Sequence, residues 1–448
     1  MRNDKHQHQK ENLKRLGEAL FQNLKAHEYM SLTYSGEDSL FIRLNQSKVR
    51  QASEVIQGYL TMDFISHHRH TKSTFLMTGD LTADLKIALQ VLEHCREECK
   101  YLPDDPYLIL PQQGENSDEE HYGRLPEIET IAATLLKPAH SHDLVGLLTS
   151  GTLIRSHMNS KGQFHWFLTD NFYFDYSLYT PSQKAIKAIY AGTHWQDHEY
   201  SSHIEKAKKQ LKILEKAPKK IIPGKYRAYF APEAAAEFVS RLYWSGLSGS
   251  ALMQGRSPLK KLYEGRAYLS PLFSLEENFH KGLTPRFNEF GDIAPLRVPL
   301  ITKGKLLSPL INRRTAQEYN LQQNAANMQE QARSPMIHPG HLKEEMALSK
   351  LGTGLYISNL HYLNWSDLQH GRLTGMTRYG CFWVENGEIV SPIEDLRFDE
   401  TLYHFWGDAL EDLGDQSVLV LKLFSYGERS LGGAFVPSML VRDFSFTL

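Results

Sequence analysis

Cysteine is scarce in this sequence, with three in 448 residues, at Cys95, Cys99 and Cys381. That excludes a disulfide framework and fits a reducing compartment, so the expected location is the cytoplasm. Net charge is nearly absent as well: 50 basic side chains stand against 52 acidic ones, a formal balance of -2. Without a basic field, nothing in the composition points to nucleic acid as a partner. Long apolar runs are missing, since no window approaches the roughly 18 residues of a membrane span. Met1 to Lys14 is polar and lacks the apolar core of a signal peptide. There is no phosphate-binding loop and no dinucleotide fingerprint. Lys303-Gly304-Lys305 reads as a short hairpin turn. No Gly-x-Ser-x-Gly elbow occurs either; Ser245 to Ser250 is close in composition but follows a helical pattern rather than a strand. Internal repeats are likewise missing.

What remains is an ordinary globular composition, 41% hydrophobic and 23% charged. A chain of this length exceeds what one core usually serves, so two units are expected. Lys216 to Gly224 carries two prolines, a glycine and a charge run, the features of a joint. The expected fold class is α+β, in two domains. Residues 1–220 would hold a mixed sheet with helices on one side. Residues 221–448 would form a β-rich, antiparallel body of sandwich or barrel type.

In the first unit, residues 11–28, 84–99, 127–137, 185–192 and 199–215 carry helical spacing. Strands are expected at 29–34 and 39–44 around a Ser35-Gly36-Glu37-Asp38 turn, and over 49–65 with a turn near Gln57-Gly58. Further strands are expected at 143–148, 152–157, 163–169 and 175–179, with turns at Ser150-Gly151 and Ser160-Lys161-Gly162. Residues 111–125 are polar and acidic, an exposed loop. In the second unit helices are expected at 233–242 and 318–331, and strands at 297–300, 355–360, 382–384, 417–424 and 435–441. Cys95 and Cys99 lie four apart on a helix with no further ligand beside them, and Cys381 sits in an apolar run. All three read as packed thiols.

The stretch Gly352 to Glu394 is the most informative. Glu385-Asn386-Gly387-Glu388 between Trp383 and Ile389 carries the Asn-Gly signal of a tight hairpin. Before it comes a glycine-bounded strand, then a loop with Thr374, Gly375 and Arg378. Upstream lies an aromatic and polar loop with His361, Trp365 and Asp367. An exposed strand edge beside Arg378 suits an extended peptide: the edge would pair with backbone, and the guanidinium would hold a carboxylate, either a peptide C-terminus or an acidic side chain. The bland alternative is that Arg378 caps a loop carbonyl and Trp365 packs against the core.

Thr374-Gly375, and above all Trp383 to Glu388, resemble the C-terminal signature of the TldD/PmbA family of peptide-processing proteins. Asp143 to Gly146, Ser150-Gly151, Asn159 to Gln163, Ser177 to Tyr179, Ala191-Gly192 and the tail Phe424 to Pro437 extend the likeness over nearly the whole length. Active members of that family carry His-Glu-x-x-x-His on a helix opening the C-terminal domain, with two histidines on zinc, the Glu as general base and a tail cysteine as third ligand. Here the matching helix reads Ala231-Pro232-Glu233-Ala234-Ala235-Ala236-Glu237. There is no histidine in 231–250 and no cysteine in 425–448. Glu233 or Glu237 overlays the base, without the metal-bound water it would activate. The likeness therefore implies the metal-free PmbA (TldE) type, with no metal or other cofactor, pairing with itself or with a zinc-bearing TldD-type homologue around a peptide substrate. The family's association with DNA gyrase finds no support in the charge pattern.

Two alternatives stay open. One is an autonomous metallopeptidase with relocated ligands, for which His338, His341 and Glu344 have the best spacing, although Pro339-Gly340 prevents a shared helical face. The other is a stand-alone peptide-binding module. His67-His68-Arg69-His70 reads as an exposed polar strand or turn.

Overall fold

The computed structural model describes residues 2–243, 245–421 and 427–447. The architecture is α+β, as the sequence implied. The N-terminal half is a seven-stranded sheet in the order Arg69–Leu76, Lys48–Ser66, Glu28–Asn45, Asp143–Asn159, Phe164–Tyr179 and Ser117–His121, with Ala185–Gly192 also paired to Phe164–Tyr179. Pairing is antiparallel except for Ser117–His121, which runs parallel to Phe164–Tyr179.

The strands are longer than the sequence suggested. Ser35 to Asp38, Gln57-Gly58 and Ser150-Gly151 are not turns but lie inside continuous strands. The reason is on the sheet itself. Gly36 faces Gly58 across the ladder, and a Cβ on either would collide with the Tyr34 ring that lies over them. These glycines serve a close approach rather than a reversal.

Strand alternation sorts the two faces. Met30, Leu32 and Tyr34 pack with Leu13, Leu16 and Leu20 of helix Arg2–Gln22 and with Ala88, Leu92 and Cys95 of helix Leu81–Cys99. Leu40, Ile42 and Leu44, on the same face, pack with Ile131, Leu135, Ile204 and Leu211 of helices Ile131–Leu136 and Asp197–Leu214. The opposite face carries Ser35, Glu37, Ser39, Arg155, His157, His165 and Asn171, and the C-terminal half covers it. His165 stacks on Phe287 with ring centroids 5.0 Å apart, and its Nε2 lies 3.2 Å from the Gly291 carbonyl.

Other differences are local. Residues 185–192 form an edge strand, not a helix; the β-branched Ile186 and Ile189 suit the pairing with Phe164–Tyr179. The acidic loop contributes the strand Ser117–His121. The helix expected at 318–331 is instead Arg313–Tyr319, capped by the Asn312 side chain and closed by Asn320 at φ +53°. His67 and His68 form a turn, as read.

The C-terminal half has two sheets around one core. A six-stranded sheet runs Lys305–Leu306, Arg297–Thr302, Leu275–Asn278, Pro335–Ile337, Ala434–Val436, Val418–Val420. A nine-stranded sheet runs Asn359–Asp367, Arg372–Arg378, Arg397–Thr401, Met439–Phe446, Gly224–Phe230, Gly354–Ile357, Phe382–Glu385, Glu388–Pro392, with Leu410–Leu413 joined to Met439–Phe446. Two pairings are parallel, Gly224–Phe230 with Gly354–Ile357 and Pro335–Ile337 with Ala434–Val436. Helix Pro232–Leu242 buries Ala234, Ala235, Phe238, Val239 and Leu242 in this core. The Trp383 hairpin forms as expected, with Asn386 and Gly387 at φ +50° and +82°. Of the strand expected over 417–424, Val418–Val420 is present, while 422–424 lie outside the described residues, as does Phe424-Ser425-Tyr426 of the tail segment.

Candidate functional site

The helix Pro232–Leu242 starts where strand Gly224–Phe230 ends. Pro232 occupies its first turn, where a missing N–H costs nothing, and Glu233 sits at the positive end. Three alanines follow, then Glu237 one turn further along the same face. Burial raises the Glu233 carboxyl above its usual range, against the field of Lys206; Glu344 adds to the rise. Tyr176 and Tyr356 feel the Glu233 charge, so this end of the helix faces the N-terminal half. Glu237 instead acts on His361.

His361 and Arg378 lie not in loops but on neighbouring strands, Asn359–Asp367 and Arg372–Arg378. His361 pairs with Met376 and Asn359 with Arg378, which makes His361 and Arg378 diagonal neighbours on one face. An Arg378 Nη lies 3.1 and 3.0 Å from the two imidazole nitrogens, and its guanidinium packs 5.0 Å from the Tyr379 ring centre. Desolvation first, then the Arg378 charge, holds His361 below its usual pKa. Desolvation raises Asp395, which faces the same pair. Among the described residues, no carboxylate lies within ion-pair distance of Arg378. The neighbouring Arg372 is different, 2.8 Å from Asp399.

The remaining expected site residues do not join this pair. The ladder shifts register between His361 and Asn364, where three steps on one strand oppose two on the other. That bulge turns Trp365 to the core side, where it packs against the hydrophobic cluster. Asp367 closes the hairpin, accepting from the His370 backbone N–H at 3.1 Å with the His370 ring 2.8 Å away. Thr374 donates to the Phe398 carbonyl at 2.9 Å. Gly375 leaves room for Phe398, whose ring would stand 2.6 Å from an added Cβ. Sequence reading missed Asp395 as a neighbour of Arg378, and no local signal marks it.

Asn359–Asp367 is an edge strand of its sheet, so one side of it is open to pairing. The opening is partial. Arg241 of the helix donates to the Leu363 carbonyl at 3.0 Å, and two register shifts shorten the free ladder.

The donor set does not fit zinc held by two imidazoles and a thiolate. Pro232 and Glu237 stand at the histidine spacing of His-Glu-x-x-x-His, and Arg378 adds a cation beside His361. Among the described residues there is no group of three or more His, Cys, Asp or Glu side chains that could hold a metal. His338 lies 3.2 Å from Glu276, Glu344 pairs with Lys206, and the His341 backbone N–H donates to Asp412, so the relocated set does not converge. Cys95, Cys99 and Cys381 are buried thiols, and burial pushes Cys95 up to about 11. No helix among the described residues is long and apolar enough to cross a membrane.

Curated proteins give no match to the sequence. Solved structures do, at full length. A candidate modulator of a DNA gyrase from Thermotoga maritima superposes with TM-score 0.77 at 14% identity, covering 97% of this chain and 99% of its own. TldE from Thermococcus kodakarensis gives 0.77 at 13%, covering 98% and 99%. A candidate modulator of DNA gyrase from Bacteroides thetaiotaomicron gives 0.76 at 15%, covering 98% of each. At such identities these likenesses establish the fold alone. Residues 223–448 match the family model described as the PmbA/TldA metallopeptidase C-terminal domain. That match spans just over half the sequence, and the chain belongs to the TldD/PmbA family.

Proposed function

We propose that this chain is a non-metal-binding subunit of peptide processing, which holds an extended peptide beside a zinc-bearing TldD-type partner in the cytoplasm. The observation that carries the reading is the helix 232–242. Where relatives place two imidazoles around a glutamate, it offers proline, glutamate and a second glutamate. A carboxylate general base with no metal-bound water has nothing to activate. In this reading residues 1–220 and 221–448 are the two domains, and the peptide runs along the open part of strand 359–367 toward the guanidinium of Arg378, which among the described residues has no carboxylate at ion-pair distance.

The test is metal analysis with activity. Purified alone, the protein is expected to hold less than stoichiometric zinc and to cleave no peptide, with or without added metal. Mixed with a zinc-bearing homologue from the same source, it should co-elute and raise that protein's turnover. One tightly held zinc per chain, lost together with peptidase activity, overturns the proposal.

Arg378 gives a second check. Arg378→Ala should weaken binding of a carboxylate-bearing peptide about tenfold or more, since a charge-assisted hydrogen bond contributes about 1.5–3 kcal/mol. Fluorescence titration reads this directly; equal affinities would remove Arg378 from the site.

A further inference from the structure

The polar face of the N-terminal sheet holds a second arrangement that the helix and edge strand do not use. The irregular segment 427–433 crosses this face and is fixed to it side chain by side chain. Gln57 Nε2 donates to the Gly427 carbonyl at 2.5 Å, and the Arg429 backbone N–H donates to Glu37 at 3.4 Å. Ser35 donates to Glu428, and Arg155 lies 3.4 Å from the same carboxylate. Arg429 is only 3% exposed. Its guanidinium donates to Ser39 Oγ at 3.1 Å, to the Asn171 carbonyl at 3.4 Å, and to the Asn171 side chain.

Glu37, Ser39 and Asn171 are themselves buried, in the middle of long strands. Polar groups placed there are costly unless something satisfies them. Gln57 and Glu37 hold the segment's backbone, Ser35 and Arg155 meet its half-exposed glutamate, and Ser39 and Asn171 enclose its arginine. A protein can hold a peptide in trans by the same contacts, and here they hold an internal loop that leads into strand Ala434–Val436. Glycines at φ +85°, +81° and +155° (Gly427, Gly432 and Gly433) bracket the segment.

We infer that Glu37, Ser39 and Asn171, with Ser35, Gln57 and Arg155, form a subsite for an acidic-arginine peptide, filled in cis by Glu428-Arg429. A peptide carrying the same pair displaces this loop and occupies the polar face of the N-terminal sheet. The inference deepens the peptide-binding reading above by naming a side-chain class. It requires a guanidinium, because the planar fork reaches Ser39 and Asn171 together, which a lysine ammonium does not reproduce.

The test uses the full-length protein and labelled peptides containing Gly-Glu-Arg or Gly-Glu-Lys. Arg429→Ala empties the pocket. The variant is expected to bind the arginine peptide at least tenfold tighter than the parent, with no such gain for the lysine peptide. Methylguanidine at millimolar concentration should raise the melting temperature of Arg429→Ala and leave the parent unchanged. Should Arg429→Ala fail to fold, Arg429→Lys keeps the charge and is expected to show the same arginine preference. Peptides that bind parent and variant alike, without an arginine-dependent gain, overturn the subsite and leave the peptide reading standing. Absence of any peptide binding together with no methylguanidine shift overturns both.

Discussion

Lowering the pH from 7.5 to 5 is expected to cost about 4 kcal/mol of folding stability through two histidines alone. His157 and His165 face each other across neighbouring strands, ring centroids 6.0 Å apart, and both are fully buried under the C-terminal half. His165 lies 2.8 Å from Ser117 Oγ and 3.2 Å from the Gly291 carbonyl; His157 Nδ1 lies 3.4 Å from Thr33, and its Nε2 has no hydrogen bond among the described residues. Desolvation pushes His157 down to about 3 and His165 to about 4. In the unfolded chain each titrates near 6.5. As pH falls, the unfolded state takes up protons first. Stability is therefore complete above about pH 6.5 and is lost progressively toward the folded values; at pH 5 each histidine costs about 2 kcal/mol. His70, raised by its hydrogen bond with Asp63, works in the opposite direction but is partly exposed, so solvent screens it. Carboxylates held low, such as Glu28 beside Arg96, contribute only at lower pH. Urea unfolding of the parent and of a His157→Asn/His165→Asn double variant at both pH values decides the matter. The variant should lose most of the pH dependence; an unchanged slope would refute the assignment.

The same buried polar face explains what the sequence made legible and what it did not. Apolar periodicity located the helices at 84–99 and 199–215 because each buries a single stripe against a sheet. The Asn386-Gly387 hairpin was readable because a tight turn needs those residues locally. Ser35 to Asp38 misled for a long-range reason. Polar residues and glycine in sequence look like a reversal, but here they form the middle of an 18-residue strand whose polar side receives another part of the chain. Nothing within a short window announces a partner nearly 400 residues away. Likewise, His361 and Arg378 stand in separate stretches of the sequence, and only the ladder makes them neighbours, while a bulge in it turns Trp365 to the other face. Glu233 and Glu237 stood out through the family likeness of their helix, but they differ in what each faces, and that is tertiary.

The strongest mechanical dependence of the site is on Phe238. Glu233 and Glu237 stand on a short helix whose neighbouring positions are mostly alanine, and alanine fills little volume. Phe238 supplies the anchor. It is 1% exposed and meets Phe230, Phe398, Phe405 and Phe444 with ring centroids 5.3, 5.9, 4.5 and 6.1 Å away. Those rings come from separate strands and from the turn at His404–Asp408, so the cavity left by Phe238→Ala has no single element able to close it. The expected cost is about 3–5 kcal/mol, at the upper end for core truncations. Phe238→Leu retains much of the volume and should cost clearly less. The loss should also reach the edge strand. Arg241, three residues on, holds the Leu363 carbonyl of the edge strand, so a loosened helix releases that contact and frees the bulge beside His361. Hydrogen exchange is expected to rise in both 232–242 and 359–367 in the alanine variant. A destabilisation below about 1 kcal/mol, or exchange confined to the helix, would show that helix and edge strand are held independently, and that Phe238 is not what keeps the two glutamates in register with Arg378.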